Sequence, residues 1–282
     1  MSTNRTRLIV NADDFGLSEP INQGVIAAHV GGIVTSASLM VNGPAFEHAV
    51  ALARAHPTLD VGVHLTLTEL APIAPPDSVR SLLGKDLRFV RHAIDFARRY
   101  VRGAISLDEV RSELAAQLEL ARARGLAISH VDSHQHVHAL PGIAKIVADL
   151  ASTYGVRFVR YPLERPLAFM FKSLRNAGRL AEQLALSTLC MFSPLRRSAH
   201  AEGFVGFYFG GRLTEDNLQT ILHNLPRQRT IELMCHPAAA ESDGPHARWG
   251  YAGPAERDAL TSERVKALIQ ARGIELIAHR DL

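Results

Sequence analysis

Short apolar runs alternate with helix-length segments along nearly the whole chain, and most of the runs close on a titratable side chain. Leu8-Ile-Val10 leads into Asn11-Ala-Asp-Asp14, Ser38-Leu-Met-Val41 is a second strand, and Val61-Gly-Val-His-Leu-Thr66 is a third with His64 late in it. Further strands are expected at 128–132, 158–160, 204–209, 230–235 and 274–277. Between them lie helices. Ser18 caps one with Pro20 in its first turn and Gly31-Gly32 at its end, and Pro44 opens another with Phe46, Val50 and Ala53 at helical spacing. Ser106 and Glu109 read as a capping box for a helix over 110–124 that Gly125 stops. Others follow at 141–154, from Thr214 and from Thr261, and the stretch with Pro72, Pro75 and Pro76 reads as a long polar loop. About seven strand-then-helix units imply parallel strands with crossover helices. So many in one chain favour an α/β fold that closes on itself: a distorted (β/α) barrel of about seven strands, TIM-barrel-like, in one domain over 1–282.

In such barrels function collects at the C-terminal ends of the strands. The polar clusters lie there. Asp13 and Asp14 follow the first strand, His64 ends the third, Asp132, His134, His136 and His138 follow the fourth, Arg160 ends the next, and His236 ends 230–235. Histidine is abundant, at 14 of 282 residues, which suits metal ligation and proton transfer near neutral pH. Other classes drop out. A chain 47% hydrophobic is not disordered, and two cysteines cannot make a disulfide scaffold. Both cysteines are expected to stay reduced, as in a cytoplasmic protein. Residues 20–46 lack charge but hold too many polar, Gly and Pro residues to span a membrane. The net charge of +3 does not by itself point to nucleic acid. There is no Walker-type loop, no GxGxxG after a strand and no GxSxG elbow.

Two adjacent carboxylates after a buried strand repel unless a cation relieves them. One as ligand and the other as general base, beside a divalent metal, is one solution; an exposed acidic turn is the other. His64 alone would be an ordinary core histidine, and beside a carboxylate pair it becomes a candidate ligand. In His130-Val-Asp-Ser-His-Gln-His-Val-His138, titratable groups fall at every second position, so an extended chain would place all five on one face. Not all five can bind one ion that also keeps a position open for water, so some must orient the ligands. Glu232 and His236 share a strand face with Cys235 on the other. Cys235 and Cys190 read as core, since nothing nearby would activate a thiolate.

The blocks LIVNADDFGLS, GIVTSASLMVNGPAFEHAV, VGVHLTL, HVDSHQHVH and IELMCHPA, in this order over nearly the whole chain, resemble the YdjC family of carbohydrate deacetylases, which includes chitooligosaccharide deacetylases. FVRYPLERP, the insert at 163–197 and FVGFYFGGRLT resemble the branch associated with hopanoid biosynthesis. The resemblance implies a distorted barrel holding one divalent ion, Zn²⁺ or Mg²⁺ first, with Mn²⁺, Ni²⁺ or Co²⁺ also compatible. By motif match, Asp14, His64 and His134 correspond to the metal ligands, Asp13 to the general base and His236 to the general acid. Asn11, Asp132, His136, His138, Arg160 and Glu232 are expected to orient these groups or to meet substrate; for Arg160 a structural ion pair is an equal alternative. The implied reaction is metal-dependent hydrolysis of the acetamide of an N-acetylamino sugar. Asp13 takes a proton from the attacking water and His236 gives one to the departing amine.

Residues 157–197 carry eight basic side chains and two acids, so this segment is far more basic than the chain as a whole. Lys172, Arg175, Asn176, Arg179, Glu182 and Gln183 fall on one helical face, and Met170, Leu174, Ala177, Ala181, Leu184 and Thr188 on another. Such an arm can pack as an ordinary barrel helix or dimer contact. It can also meet an anionic membrane surface, which would suit N-acetylglucosamine linked to a hopanoid and a cytoplasmic protein peripheral at the inner membrane face. A homodimer is a fair expectation. Competing readings are a deacetylase of soluble chitooligosaccharides, a metal-dependent phosphoesterase, which usually wants a second metal, and a non-catalytic sugar-binding protein.

Overall fold

The structure is a computed structural model that describes residues 5–172, 176–241 and 245–282. Its strands are β1 (Arg7–Phe15), β2 (Ser36–Leu39), β3 (Asp60–Leu65), β4 (His130–Ser133), β5 (Phe158–Val159), β6 (Gly203–Val205), β7 (Thr230–Cys235) and β8 (Glu275–Leu276). They form one parallel sheet in the order β5-β4-β3-β2-β1-β7-β6, with β8 added on β1. The sheet curls until the segment leading into β6 reaches β5, through a parallel bridge between Phe158 and Ala199. Seven strands and this bridge make the distorted barrel expected from the sequence.

Helices α1 (Glu19–Val30), α2 (Phe46–Ala55), α3 (Ala93–Val101), α4 (Leu107–Ala123), α5 (Pro141–Thr153), α6 (Ala177–Met191), α7 (Glu215–Asn224), α8 (Gly253–Thr261) and α9 (Glu263–Ala271) surround it. The strand period of two separates two kinds of interior. Leu8, Val10 and Ala12 of β1, Val61, Val63 and Leu65 of β3, and Ile231, Leu233 and Cys235 of β7 join the apolar core. The alternate positions Asn11, Asp13, His64, His130, Asp132 and Glu232 are polar, and all are buried too. The hydrophobic core thus lies between strands and helices, while the middle of the barrel is polar.

Several expectations need correction. The proline-rich loop after β3 gives way to α3, and a further helix, α8, precedes the expected last one. The capping box is half formed: Ser106 Oγ accepts from the Glu109 amide, but the Glu109 carboxylate accepts from Ser81 N instead. α6 does not pack by the apolar face that an ordinary barrel helix would turn inward. Gln183 and Cys190 are buried and Arg179, Leu186 and Ser187 half-buried, whereas Ala177, Ala181, Leu184 and Thr188 are exposed. The reason is polar anchoring. Gln183 Nε2 and Ser187 Oγ both donate to Glu164 O, and Arg179 donates to Phe207 O while lying 4.4 Å over that ring. The Lys172 side chain, Leu174 and Arg175 lie outside the described residues.

Candidate active site

β1 does not end as a regular strand. Its pairing with β2 gains one residue between Ala12 and Phe15, and Asp14 takes a left-handed φ of 63°. This bulge re-aims the chain so that two consecutive carboxylates, which would otherwise point to opposite faces, both reach the barrel mouth. Gly16, at φ 97°, completes the turn; a Cβ there would meet Met40 O at 2.8 Å.

Asp14, His64 and His134 converge. Asp14 Oδ1 lies 3.0 Å from His134 Nδ1 and 3.5 Å from His64 Nε2. One ligand atom from each of the three residues lies within 4.8 Å of the others, and all three side chains are buried. Asp14 Oδ1 has no well-formed hydrogen bond despite these neighbours, and His134 Nε2 is likewise unsatisfied. Three ligand atoms gathered this closely in a buried place fit a cation, and one carboxylate with two imidazoles suits a first-row divalent ion. Burial pushes the Asp14 carboxyl up, but His134 and His64 outweigh it and hold it at about 2.

Asp13 belongs to a second layer of contacts. Arg160 donates to its two oxygens at 2.7 Å each, and Asn11 Nδ2 donates to Oδ1 at 2.8 Å. Burial opposes ionisation, yet Arg160 and His64 together keep Asp13 well below the usual carboxylate range. Arg160 also meets Asp132 at 2.6 Å and Glu232 at 2.6 Å. Its side chain is fully buried, and it ties three carboxylates together. Asp132 Oδ1 lies 2.8 Å from His64 Nδ1 and fixes that ring, leaving Nε2 toward the mouth. Burial pushes His64 down, but Asp132, Asp13 and Asp14 outweigh it and raise it to about 9.

The His-rich segment does not stay extended. β4 ends at Ser133, and Gln135 and His136 adopt left-handed φ values of 55° and 54°. The five groups therefore part. His130 and Asp132 point into the barrel beside Ser38, and His134 reaches Asp14. His136 lies against Phe204 and Phe207. His138 pairs with Ser133 Oγ and Arg160 O. Burial pushes His136 well down and His138 to about 4, which favours neutral rings.

His236 follows β7 and faces the same cavity as Asp13, His64 and His134, a space of about 620 Å³. Its amide donates to Glu256 Oε2 at 2.6 Å, its ring packs 4.8 Å from Tyr251, and its Nδ1 lies 4.0 Å from Glu256 without a hydrogen bond. The sequence reading missed Glu256, Glu69, Trp249 and Tyr251. Trp249 lies 5.1 Å from the His134 ring and donates from Nε1 to Glu69 at 3.0 Å. As the sole tryptophan of the chain it could have drawn attention; Glu69 and Glu256 had no such mark. The other wall of the cavity comes from α3 and α6 and is mainly apolar, with Ile94, Ala97, Leu186 and Leu189 among its residues beside the charged Arg179 and Glu182. Cys190 is pushed up to about 12 by burial, and Cys235 is also raised, so neither is a ready nucleophile.

The profile of the YdjC-like protein family matches residues 7–271. A carbohydrate deacetylase of Brevibacillus brevis is 36% identical over 98% of this chain and 99% of its own length. A carbohydrate deacetylase of Mus musculus is 34% identical over 100% of this chain and 96% of its own. Among solved structures, a protein of Enterococcus faecalis V583 described as a cellobiose-phosphate cleavage protein has a TM-score of 0.76 and 26% identity, with 99% of each chain covered. The chain belongs to the YdjC-like protein family, whose members from Brevibacillus and mouse are named carbohydrate deacetylases.

Proposed function

We propose that the protein is a metal-dependent hydrolase that removes the acetyl group from an N-acetylamino sugar, with hopanoid-linked N-acetylglucosamine as its substrate. The observation that carries the reaction is the convergence of Asp14, His64 and His134 around a buried oxygen with no hydrogen bond, in a cavity that Asp13 and His236 also line. The names of the full-length relatives support the same class.

Asp14, His64 and His134 hold the ion; when bound it supplies Lewis acidity to the acetyl carbonyl and to water. Asp13 is the proton acceptor. The two-point grip of Arg160 keeps it ionised and fixes its direction. His236 donates a proton to the sugar nitrogen, because an amine leaves as a neutral molecule and not as an anion. Glu256 and Tyr251 seat His236, and Asp132 seats His64.

The apolar wall from α3 and α6 supports an apolar aglycone beside the sugar, with Ile94 58% and Leu189 38% exposed at its rim. Phe171, Met191 and Phe192 are also exposed, and Arg196 and Arg197 follow them, a combination that suits an anionic membrane surface. No helix among the described residues is long and apolar enough to cross a membrane. A second reading, a soluble chitooligosaccharide deacetylase, is favoured by Trp249 and Tyr251, whose rings lie 5.4 Å apart in the same cavity. Acetate release from an N-acetylglucosaminyl lipid and from chitobiose decides between them. The lipid substrate should win by tenfold or more, and Leu186→Ser with Leu189→Ser should erase that margin. A preference for chitobiose would overturn the lipid assignment. Retention on anionic vesicles at low salt tests the membrane contact, and full exclusion would remove it.

A further inference from the structure

The mouth of the barrel is fastened by a carboxylate that the reaction above does not use. Glu69 lies in the loop after β3, and its side chain is only 2% exposed. Its Oε1 accepts from Trp249 Nε1 at 3.0 Å, from Arg248 Nη2 at 3.3 Å and from Gln135 Nε2 at 3.4 Å. Arg248 and Trp249 belong to the segment after β7, and Gln135 follows β4. Gln135 Oε1 in turn accepts from the Ala93 amide at the start of α3, at 2.6 Å. Four segments far apart in the sequence are thus joined through one buried side chain.

The backbone is bent to bring these groups together. Glu69 and Gln135 take left-handed φ values of 69° and 55°, which residues other than glycine rarely adopt. Such conformations persist only where the surroundings over-determine them, and they gather at functional sites. Here the Glu69 amide donates to Val90 O at 2.9 Å, and its carbonyl accepts from Arg88 Nε at 3.2 Å. What the carboxylate secures is an indole. Trp249 is half-buried, packs against the cluster of Leu17, Met40 and Leu70, and lines the cavity with His134, His236 and Tyr251. Its ring lies 5.1 Å from that of His134 and 5.4 Å from that of Tyr251. With Nε1 tied to Glu69, the ring keeps one orientation. An indole has a broad apolar face that carries the negative side of its quadrupole, and a pyranose offers a face of apolar, slightly positive C–H groups.

We propose that Trp249 is the platform on which the sugar ring of the substrate stacks, and that Glu69 is the positioning residue that holds it there by clasping the mouth loops together. The inference rests on the sugar substrate assigned above. It applies to a lipid-linked and a soluble sugar alike, because both bring the same ring. A sugar stacked beside His134 stands next to the proposed ion site. Trp249 takes no part in proton transfer, so its loss should appear in KM and not in kcat. Glu69 acts through the indole. Its Oε2 also stands 4.0 Å from His134 Nε2, so the comparison is made at saturating divalent ion.

Trp249 is the sole tryptophan of the chain, so intrinsic emission reports on the platform alone. The test titrates chitobiose into metal-loaded Asp13→Asn, chosen for slow turnover, with fluorescence and calorimetry read in parallel. A saturable change in emission should follow the calorimetric isotherm. In the otherwise wild-type enzyme, Trp249→Ala should raise KM about tenfold and leave kcat within about twofold. Trp249→Phe should recover most of that loss, since a ring remains. Glu69→Ala should shift the emission to the red and raise KM by a similar factor. The Glu69→Ala/Trp249→Ala double variant should be no worse than Trp249→Ala, because one residue acts through the other. Should Glu69→Ala fail to fold by circular dichroism, Glu69→Asp, which keeps the charge but withdraws the oxygens by one methylene, should give the same red shift. Calorimetric binding with a silent tryptophan, or an unchanged KM in Trp249→Ala, would overturn the platform. Additive losses in the double variant would overturn the role of Glu69. No binding of sugar at all would remove the sugar reading itself, and this proposal with it.

Discussion

Arg160 and Asp13 meet through two parallel contacts of 2.7 Å, one to each carboxylate oxygen, inside a fully buried part of the barrel. The same guanidinium neutralises Asp132 and Glu232. Such a group cannot be removed cheaply, because three buried carboxylates would lose their counter-charge. Breaking a buried ion pair from one side costs about 3–5 kcal/mol. Arg160→Met should therefore lower the urea midpoint strongly, by an amount of that order. Arg160→Lys keeps the charge but loses the fork, and should fold while losing turnover more than substrate affinity. An unchanged midpoint for Arg160→Met would contradict the hub role.

The bulge in β1 gives the two neighbouring aspartates different tasks. Asp14→Asn should abolish divalent-ion binding at the Asp14/His64/His134 site, read by calorimetry. Asp13→Asn should keep the ion and lose about 10²–10⁴-fold in kcat, the usual contribution of a general base. Full turnover in Asp13→Asn would remove the base assignment.

His64 sets a pH dependence. In metal-free protein it is raised to about 9, against an ordinary value of 6.5, mainly by Asp132, Asp13 and Asp14 acting against burial. A group raised on folding adds stability that is fully present below the unfolded value and is lost as pH climbs to the folded one. Metal-free protein should therefore lose stability between pH 6.5 and about 9. Cation binding must expel that proton, so apparent affinity should rise about tenfold per pH unit up to about 9 and then level off. Titration calorimetry in buffers of different ionisation enthalpy would show one proton released per ion near pH 7.5. Affinity independent of pH would contradict this account.

Much of the barrel was legible in the sequence, because strand alternation and helix stops are local. His64, Arg160 and His236 fall at or just past strand ends, as parallel strands demand. Three things were not legible. The bulge that turns Asp13 and Asp14 to one side depends on pairing with β2, not on local residues. The left-handed Gln135 and His136 break the period-two pattern of the His-rich segment. The packed face of α6 is set by Gln183, Ser187 and Arg179 finding backbone carbonyls, so polarity alone could not choose it. Glu69, Trp249, Tyr251 and Glu256 enter the site from loops and a helix whose arrival depends on the whole fold.

Glu164 offers a separate check on how the 163–197 arm is fastened. Its carboxylate accepts from Gly206 N and Tyr208 N at 2.9 Å each. Burial nonetheless raises it to about 7, against an ordinary 4.5. Ionising it costs more in the folded state, so its contribution to stability falls as pH rises from 4.5 to about 7. Glu164→Gln should therefore gain on wild type across that window, in paired thermal melts. A constant difference between the two proteins would mean that Glu164 is not perturbed in this way.

Acetate release from an N-acetylated amino sugar, measured on chelated protein and again after stoichiometric divalent metal is restored, bears most directly on the central claim. Wild type should fall to background when stripped and recover on addition of the ion, while Asp14→Asn should stay at background in both states. Full acetate release by protein shown to be metal-free, or none from any N-acetyl sugar by the metal-loaded wild type, would contradict it.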